Sequence, residues 1–258
     1  VMDQADIEQM IEWFAAAAAR ALAAGFDGVE LHAAHTYILA GFLSPYYNRR
    51  DDAYGGPIEN RARLLVETIR AVKKRTGADF PVWVRLDGEE LRTEGGITIA
   101  DAIAAARLAE QAGADAISMS AYATITTGVA FTEAPLVQQP GALVGYAAAV
   151  KKEVSVPIIA AGRINPEMGN EGIERGLFDF VAMGRKLLAD PDLPNKLAAN
   201  RRQDVRPCVY CYVCVSQIFI NQRVKCAVNA QVGHEFEAPI EAAATPRHIV
   251  VVGGGPAG

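Results

Sequence analysis

Two kinds of apolar run alternate along the chain. Long runs bounded by Pro or Gly read as helices, and short, nearly continuous apolar runs read as strands. Residues 6–24 form the first long run, polar early, alanine-rich afterwards and closed by Gly25. The strand FDGVEL (26–31) comes next, then a helix over 57–75, opened by Pro57 and ended before Gly77, and the strand PVWVRL (81–86). A helix over 98–111, broken by Gly113, leads into DAISMS (115–120), and a helix over 143–152 leads into VPIIAA (156–161). A short helix over 167–175 precedes FDFVAM (178–183), with helical material to about residue 199.

This strand–helix alternation predicts an α/β fold with a parallel sheet and crossover helices. Its period suits a (β/α) barrel and an open sheet equally. The residues just past each strand are more informative: His32 and His35, Arg85 and Asp87, Gly162 and Arg163, Gly184 and Arg185 all come at or just after strand C-termini. In a barrel those ends converge on one face. In an open sheet they meet only at a switch point.

Composition adds limits. The 258 residues suffice for one large domain or two small ones, and 51% hydrophobic with 21% charged residues is ordinary globular usage. A net charge of −5 leaves no electrostatic footprint for nucleic acid, and no apolar stretch approaches the ~20 residues of a membrane span. The first residues lack a signal-peptide pattern and begin with Val1 rather than Met, as expected of a chain that starts inside a longer protein. All four cysteines lie between 208 and 226, spaced C-x2-C-x2-C-x11-C. Such a cluster beside a cysteine-free domain points to a metal site in a reducing, cytoplasmic compartment. Zinc, an iron–sulfur cluster and plain burial are the alternatives. Three cysteines in one compact loop plus one distant resembles cubane ligation more than paired zinc knuckles. At the end, Gly253, Gly255 and Gly258 form G-x-G-x-x-G behind the apolar run 249–252, the fingerprint of a dinucleotide-binding turn. The helix and distal acidic residue that complete such a site do not follow within the sequence.

GFDGVELHAAHTYILAGFLSPYYNRRDDAYGG (25–56), IENRARL (58–64), RPCVYCYVC (206–214) and VKCAVN (224–229) together resemble the old yellow enzyme class of flavin oxidoreductases. A closer likeness is to its multidomain iron–sulfur branch, which includes 2,4-dienoyl-CoA reductase, bacterial enoate reductase and trimethylamine dehydrogenase. The resemblance implies a (β/α)8 barrel of which about the fourth to eighth strands are present. It implies a partial FMN barrel over 1–203, a [4Fe–4S] segment over 204–232, a linker over 233–247 and the start of an FAD/NAD(P)-binding domain over 248–258. His32 and His35 match the pair that binds the substrate carbonyl oxygen, and Tyr37 matches the proton donor to the alpha carbon. Arg85 matches the arginine beside the flavin pyrimidine. Gly162, Arg163, Gly184 and Arg185 match the FMN phosphate region, and Cys208, Cys211, Cys214 and Cys226 match the cluster ligands. The implied activity is NAD(P)H-dependent reduction of an α,β-unsaturated carbonyl compound, with oligomeric state left open.

The chemistry makes sense independently. Conjugate hydride transfer builds charge on the carbonyl oxygen, where imidazole donors help, and a hydroxyl is needed on the opposite side. The alternatives are a structural role for the His pair, a metal held with Asp51 or Asp52, and Tyr37 as a packing residue. Departures from the family pattern stand out: the cysteine spacing C-x2-C-x2-C is one residue shorter than the commoner C-x2-C-x3-C, Thr36 replaces a glycine, Asp87 replaces a serine, and SAYATITTGVAF (120–131) contains no histidine. The last, with His35 where dienoyl-CoA reductases carry Glu, favours a general enoate or enone reductase over a fatty dienoyl-CoA enzyme. An amine dehydrogenase and a non-catalytic iron–sulfur module are the rival functions. An amine substrate would favour an aromatic cage over a carbonyl-binding His pair.

Overall fold

The computed structural model describes residues 2–123, 138–237 and 241–254 and divides the chain into two compact units, Val1–Met183 and Gly184–Gly258. In the first unit, α1 (Gln4–Ala23), β1 (Val29–Ala33), α2 (Ile38–Leu43), α3 (Ile58–Arg61), α4 (Arg63–Thr76), β2 (Val82–Leu91) and α5 (Ile99–Ala112) are followed by β3 (Ala116–Ala123), α6 (Val144–Lys151), β4 (Ile158–Ala160), α7 (Pro166–Glu174) and β5 (Phe180–Val181). The five strands form one parallel sheet in the order β1-β2-β3-β4-β5. Strictly sequential order decides the choice that periodicity left open. A doubly wound sheet reverses direction at a switch point, whereas a barrel winds one way. These are five strands of a (β/α) barrel.

The elements start and stop for local reasons. Asp3 caps α1 and Thr98 caps α5, each in a reciprocal capping box with Asp6 and Asp101 respectively. Gly113, at φ +104°, ends α5 in the left-handed conformation that costs glycine little. The expected single helix over 57–75 is divided at Ala62, whose neighbour Arg61 is buried and donates from its guanidinium to the carbonyls of Gly56 and Leu43 and to Asp101. Seating that guanidinium sets the path of the short α3. The β2 strand runs past the expected end at residue 86 to Leu91, with a register shift between Asp87 and Glu90. Gly88 sits at the shift because the Tyr146 ring covers it: a Cβ there would lie 2.5 Å from the ring.

Strand alternation gives the sheet two unlike faces. Leu31, Ala33, Val82, Val84, Leu86, Ile117, Met119, Ile158 and Ala160 form the apolar face, nearly all fully buried against core helix residues such as Leu64, Leu65, Ile69, Val72, Ala106 and Ala109. Each large aliphatic side chain buried there contributes roughly 1.5–3 kcal/mol. The opposite parity carries Glu30, His32, Trp83, Arg85, Asp87, Ser118 and Ser120.

The second unit holds α8 (Arg185–Ala189), α9 (Leu193–Ala198), a 3-10 turn (Arg202–Asp204) and α10 (Val213–Phe219). Asn229 donates to the Leu188 carbonyl, and Asp190 accepts from the Arg206 backbone and from Lys196. Residues 249–252, read from sequence as a strand, are irregular and exposed. No neighbouring strand pairs with them among the described residues, and a strand needs a partner for its backbone groups. Gly253 is in the left-handed region at φ +110°, while Gly255 and Gly258 lie outside the described residues.

Candidate active site

The polar face of the sheet is built in rows. The register places His32 opposite Arg85, Arg85 opposite Ser118, and Asp87 opposite Ser120. Below the His32 row, Glu30 accepts from the Trp83 indole at 3.0 Å and pairs with Arg85 at 2.8 Å. That carboxylate orients the guanidinium from beneath. Two buried atoms in the row above, Nε of Arg85 and Oγ of Ser118, have no hydrogen-bond partner among the described residues. Orphaned polar atoms on a sheet face are the mark of a surface shaped for a polar ligand. They suit the heteroatom-rich edge of a flavin, whose reduced ring system a cation such as Arg85 favours.

At the C-terminal end of β1 the chain makes a tight corner. His35 and Thr36 are both left-handed, at φ +58° and +60°, and Tyr37 then opens α2. The corner brings three rings together. His32 and His35 meet edge to face with centroids 4.9 Å apart, and the exposed Tyr37 ring lies 4.8 Å from His32. The Nδ1 atom of His32 accepts from the Ala34 amide at 3.3 Å, so its neutral ring carries the proton on Nε2. His35 Nε2 is 2.7 Å from Ser120 Oγ, and the His35 amide donates to Asp87 Oδ2 at 2.6 Å. Burial, His32 and Arg85 lower the His35 pKa to about 3. Burial and Arg85 lower that of His32 as well. Both rings are therefore neutral donors near pH 7. Burial raises Asp87, its side chain almost wholly enclosed, to about 8.

Sequence reasoning brought His32, His35, Tyr37 and Arg85 forward, and the structure sets all four on one end of the sheet. Glu30, Ser118 and Ser120 escaped it, and Asp87 was noted at a strand end and as a departure, without a role. A signal was present: in VELH, VWVRLD and ISMS every second position is polar or aromatic inside an otherwise apolar strand. Gly162 and Arg163 follow β4 as a left-handed corner, at φ +107° and +59°, and the Arg163 guanidinium donates to the Gln138 carbonyl at 2.6 Å. The loop after β3 lies outside the described residues from 124 to 137.

In the second unit the four cysteines line one cleft of about 310 Å³, open solvent included. Arg185, just after Gly184, borders the same cleft and stands over the rings of Tyr210 and Tyr212, 5.3 and 4.9 Å from their centroids. The Tyr210 amide points at Cys208 Sγ from 3.4 Å, and burial followed by Cys208 raises the Cys214 pKa. Among the described residues no three His, Cys, Asp or Glu side chains form a group suited to a single metal ion.

Residues 1–204 match the family model described as the NADH:flavin oxidoreductase / NADH oxidase family. The chain belongs to that family. An NADH oxidase of Thermoanaerobacter brockii is 40% identical over 98% of this chain and 39% of its own length. A cinnamate reductase of Clostridium sporogenes is 37% identical over 98% of the chain and 40% of its own length. The solved structure of a 2-naphthoyl-CoA reductase with 2-naphthoyl-CoA superposes with a TM-score of 0.86 at 33% identity, covering 92% of this chain and 36% of that one. The chain thus spans about two fifths of these flavin oxidoreductase relatives. Among the described residues no helix is long and apolar enough to cross a membrane.

Proposed function

We propose that the protein reduces the C=C bond of an α,β-unsaturated carbonyl compound with NAD(P)H, using FMN over the sheet end and a [4Fe–4S] cluster at the cysteine cleft. The observation that carries this reading is the meeting of His32, His35 and Tyr37 at one strand end beside Arg85. When bound, FMN supplies the hydride that adds to the β carbon. His32 Nε2–H and the His35 ring donate to the substrate carbonyl oxygen and hold the charge that develops there. The Tyr37 hydroxyl supplies a proton to the α carbon, so hydride and proton complete the saturated product. Arg85, steadied by Glu30, favours negative charge at the pyrimidine end of the flavin. Gly162, Arg163, Gly184 and Arg185 serve its phosphate.

Cys208, Cys211, Cys214 and Cys226 are proposed as the cluster ligands. Soft thiols around one cleft suit iron and sulfide. The domain layout is then a barrel to 203, a cluster segment over 204–232, a linker over 233–247, and from 248 a domain for FAD and NAD(P)H whose glycine turn is Gly253, Gly255 and Gly258.

An anaerobic absorption spectrum of the full-length protein tests this. Flavin bands at about 450 nm on an iron–sulfur shoulder at about 400 nm are expected. They should bleach with NADH or NADPH and return on adding 2-cyclohexenone or crotonyl-CoA. Cofactors that bleach but are not reoxidised by either would sink the reductase reading in favour of an amine dehydrogenase, and absence of flavin would leave an iron–sulfur module.

A further inference from the structure

The Asp87 carboxyl has no part in the chemistry above, yet it is enclosed at the centre of the site. It sits on β2 directly opposite Ser120 on β3, so the two side chains share one row of the polar face. Both reach the same residue of a third segment. Asp87 Oδ2 takes the His35 amide, Ser120 Oγ is hydrogen-bonded to His35 Nε2, and Asp87 Oδ1 stands 3.8 Å from that nitrogen. Oδ1 is buried without a hydrogen-bond partner among the described residues. The His35 amide belongs to the corner in which two consecutive non-glycine residues are left-handed, a conformation that needs outside support.

We propose that Asp87 is a positioning residue: it clamps the His35–Thr36 corner through the main chain and keeps His35 in the tautomer whose Nδ1–H is offered to the substrate carbonyl. The proposal rests on the reading that His35 binds that carbonyl. Electrostatics selects the tautomer. An ionised carboxylate beside Nε2 would draw the imidazole proton to that nitrogen. A neutral carboxyl does not, so Nε2 accepts from the Ser120 hydroxyl and the proton resides on Nδ1, which makes no hydrogen bond among the described residues. The titratable and charged groups around this carboxyl are His35 and His32, Arg85 and Glu90 on β2, Tyr122 on β3 and Asp101 on α5. The hydrogen bond from the His35 amide favours ionisation of Asp87, as does Arg85, which is already paired with Glu30, while Glu90 opposes it. Burial outweighs the amide and Arg85, and Asp87 is protonated up to about pH 8. The serine that the family resemblance makes usual at this position would leave the His35 amide without a carboxyl acceptor.

The test uses the full-length, FMN-loaded protein and the variants Asp87→Ala and Asp87→Asn. The first readout is the ¹⁵N spectrum of His35, assigned with a His35→Gln control, which reports the tautomer without any turnover. The second is the pH profile of 2-cyclohexenone reduction. The wild type should hold the proton on Nδ1 at pH 7 and lose kcat/KM as pH rises through about 8. Asp87→Ala, which removes one hydrogen bond and the support of the corner, should lower kcat/KM at pH 7 by about tenfold. Asp87→Asn keeps a neutral acceptor for the amide, so it should retain the tautomer and remove the alkaline fall. A proton found on Nε2 in the wild type overturns the proposal. So does an alkaline fall that persists in Asp87→Asn, or an Asp87→Ala protein with unchanged kinetics. If Asp87→Ala does not retain FMN, the Asp87→Asn profile and the tautomer decide. If the wild type reduces no enone, the reductase reading fails, while the spectra of the wild type and Asp87→Asn still judge the clamp.

Discussion

His35 makes an acid-linked stability prediction that can be worked from its surroundings. Its imidazole is almost enclosed, sits against a second imidazole and lies near a guanidinium, and its pKa falls from 6.5 to about 3. The unfolded chain takes up a proton as pH drops below 6.5, whereas the folded state refuses it until about pH 3. The stability tied to a neutral His35 is therefore fully present above pH 6.5 and lost as pH falls towards 3. At about 1.4 kcal/mol per pH unit the ceiling is on the order of 5 kcal/mol, of which about 2–3 should be visible between pH 6.5 and 4.5. Asp87 works in the opposite direction, since its raised pKa costs stability as pH rises from about 4 to 8. The absolute curve thus mixes the two groups, and the observable is the difference between the wild type and His35→Asn, which lacks the titrating ring. Urea unfolding followed by circular dichroism at four pH values from 7.5 to 4.5 should give two curves that converge or cross as pH falls, the wild type losing more by about 1 kcal/mol per unit. Parallel curves would refute the claim that His35 is held neutral by burial. A constant offset between them is expected from lost contacts and does not bear on it.

Other substitutions read other parts of the structure. Thr36→Gly should stabilise the protein by about 1 kcal/mol in thermal unfolding, because a β-branched residue at φ +60° is strained and glycine is not. Gly172→Ala should destabilise by about 1–3 kcal/mol although alanine is the better helix former: its Cβ would lie 2.1 Å from Cζ of the buried Phe178, and overpacking outweighs a propensity gain of about 1 kcal/mol. A paired Phe178→Leu change should remove most of that penalty. Tyr37→Phe should lower the enone reduction rate by about 10²-fold while flavin reduction by NAD(P)H keeps its rate, as stopped-flow absorbance can separate.

Much of the chain is legible from pattern alone. Strands and helices of the first unit follow from apolar runs and from Pro and Gly at their ends, since these signals act within one turn or one strand. The HAAHTY segment and the cysteine spacing are local too. Where reading failed, distance was the cause. The six-residue α2 is too short for a period and exists because Leu39, Ala40, Phe42 and Leu43 find a core to enter. The break at Ala62 depends on where the Arg61 guanidinium reaches, with Leu43 and Asp101 far away in sequence. The apolar run 249–252 has the composition of a strand, but composition cannot provide a ladder partner.

The sequence by itself determined the class of fold, the histidines, the tyrosine and the four thiols, because residue type and short spacing carry that information. Only the tertiary structure decided the direction of winding, read from strand order, and the charge states in the site. Asp87 is an ordinary aspartate until the β2–β3 register sets it beside Ser120 and the β1 corner closes over it. Burial then keeps Asp87 a neutral acid up to about pH 8 and His35 a neutral base down to about pH 3, ranges that neither residue has in the unfolded chain.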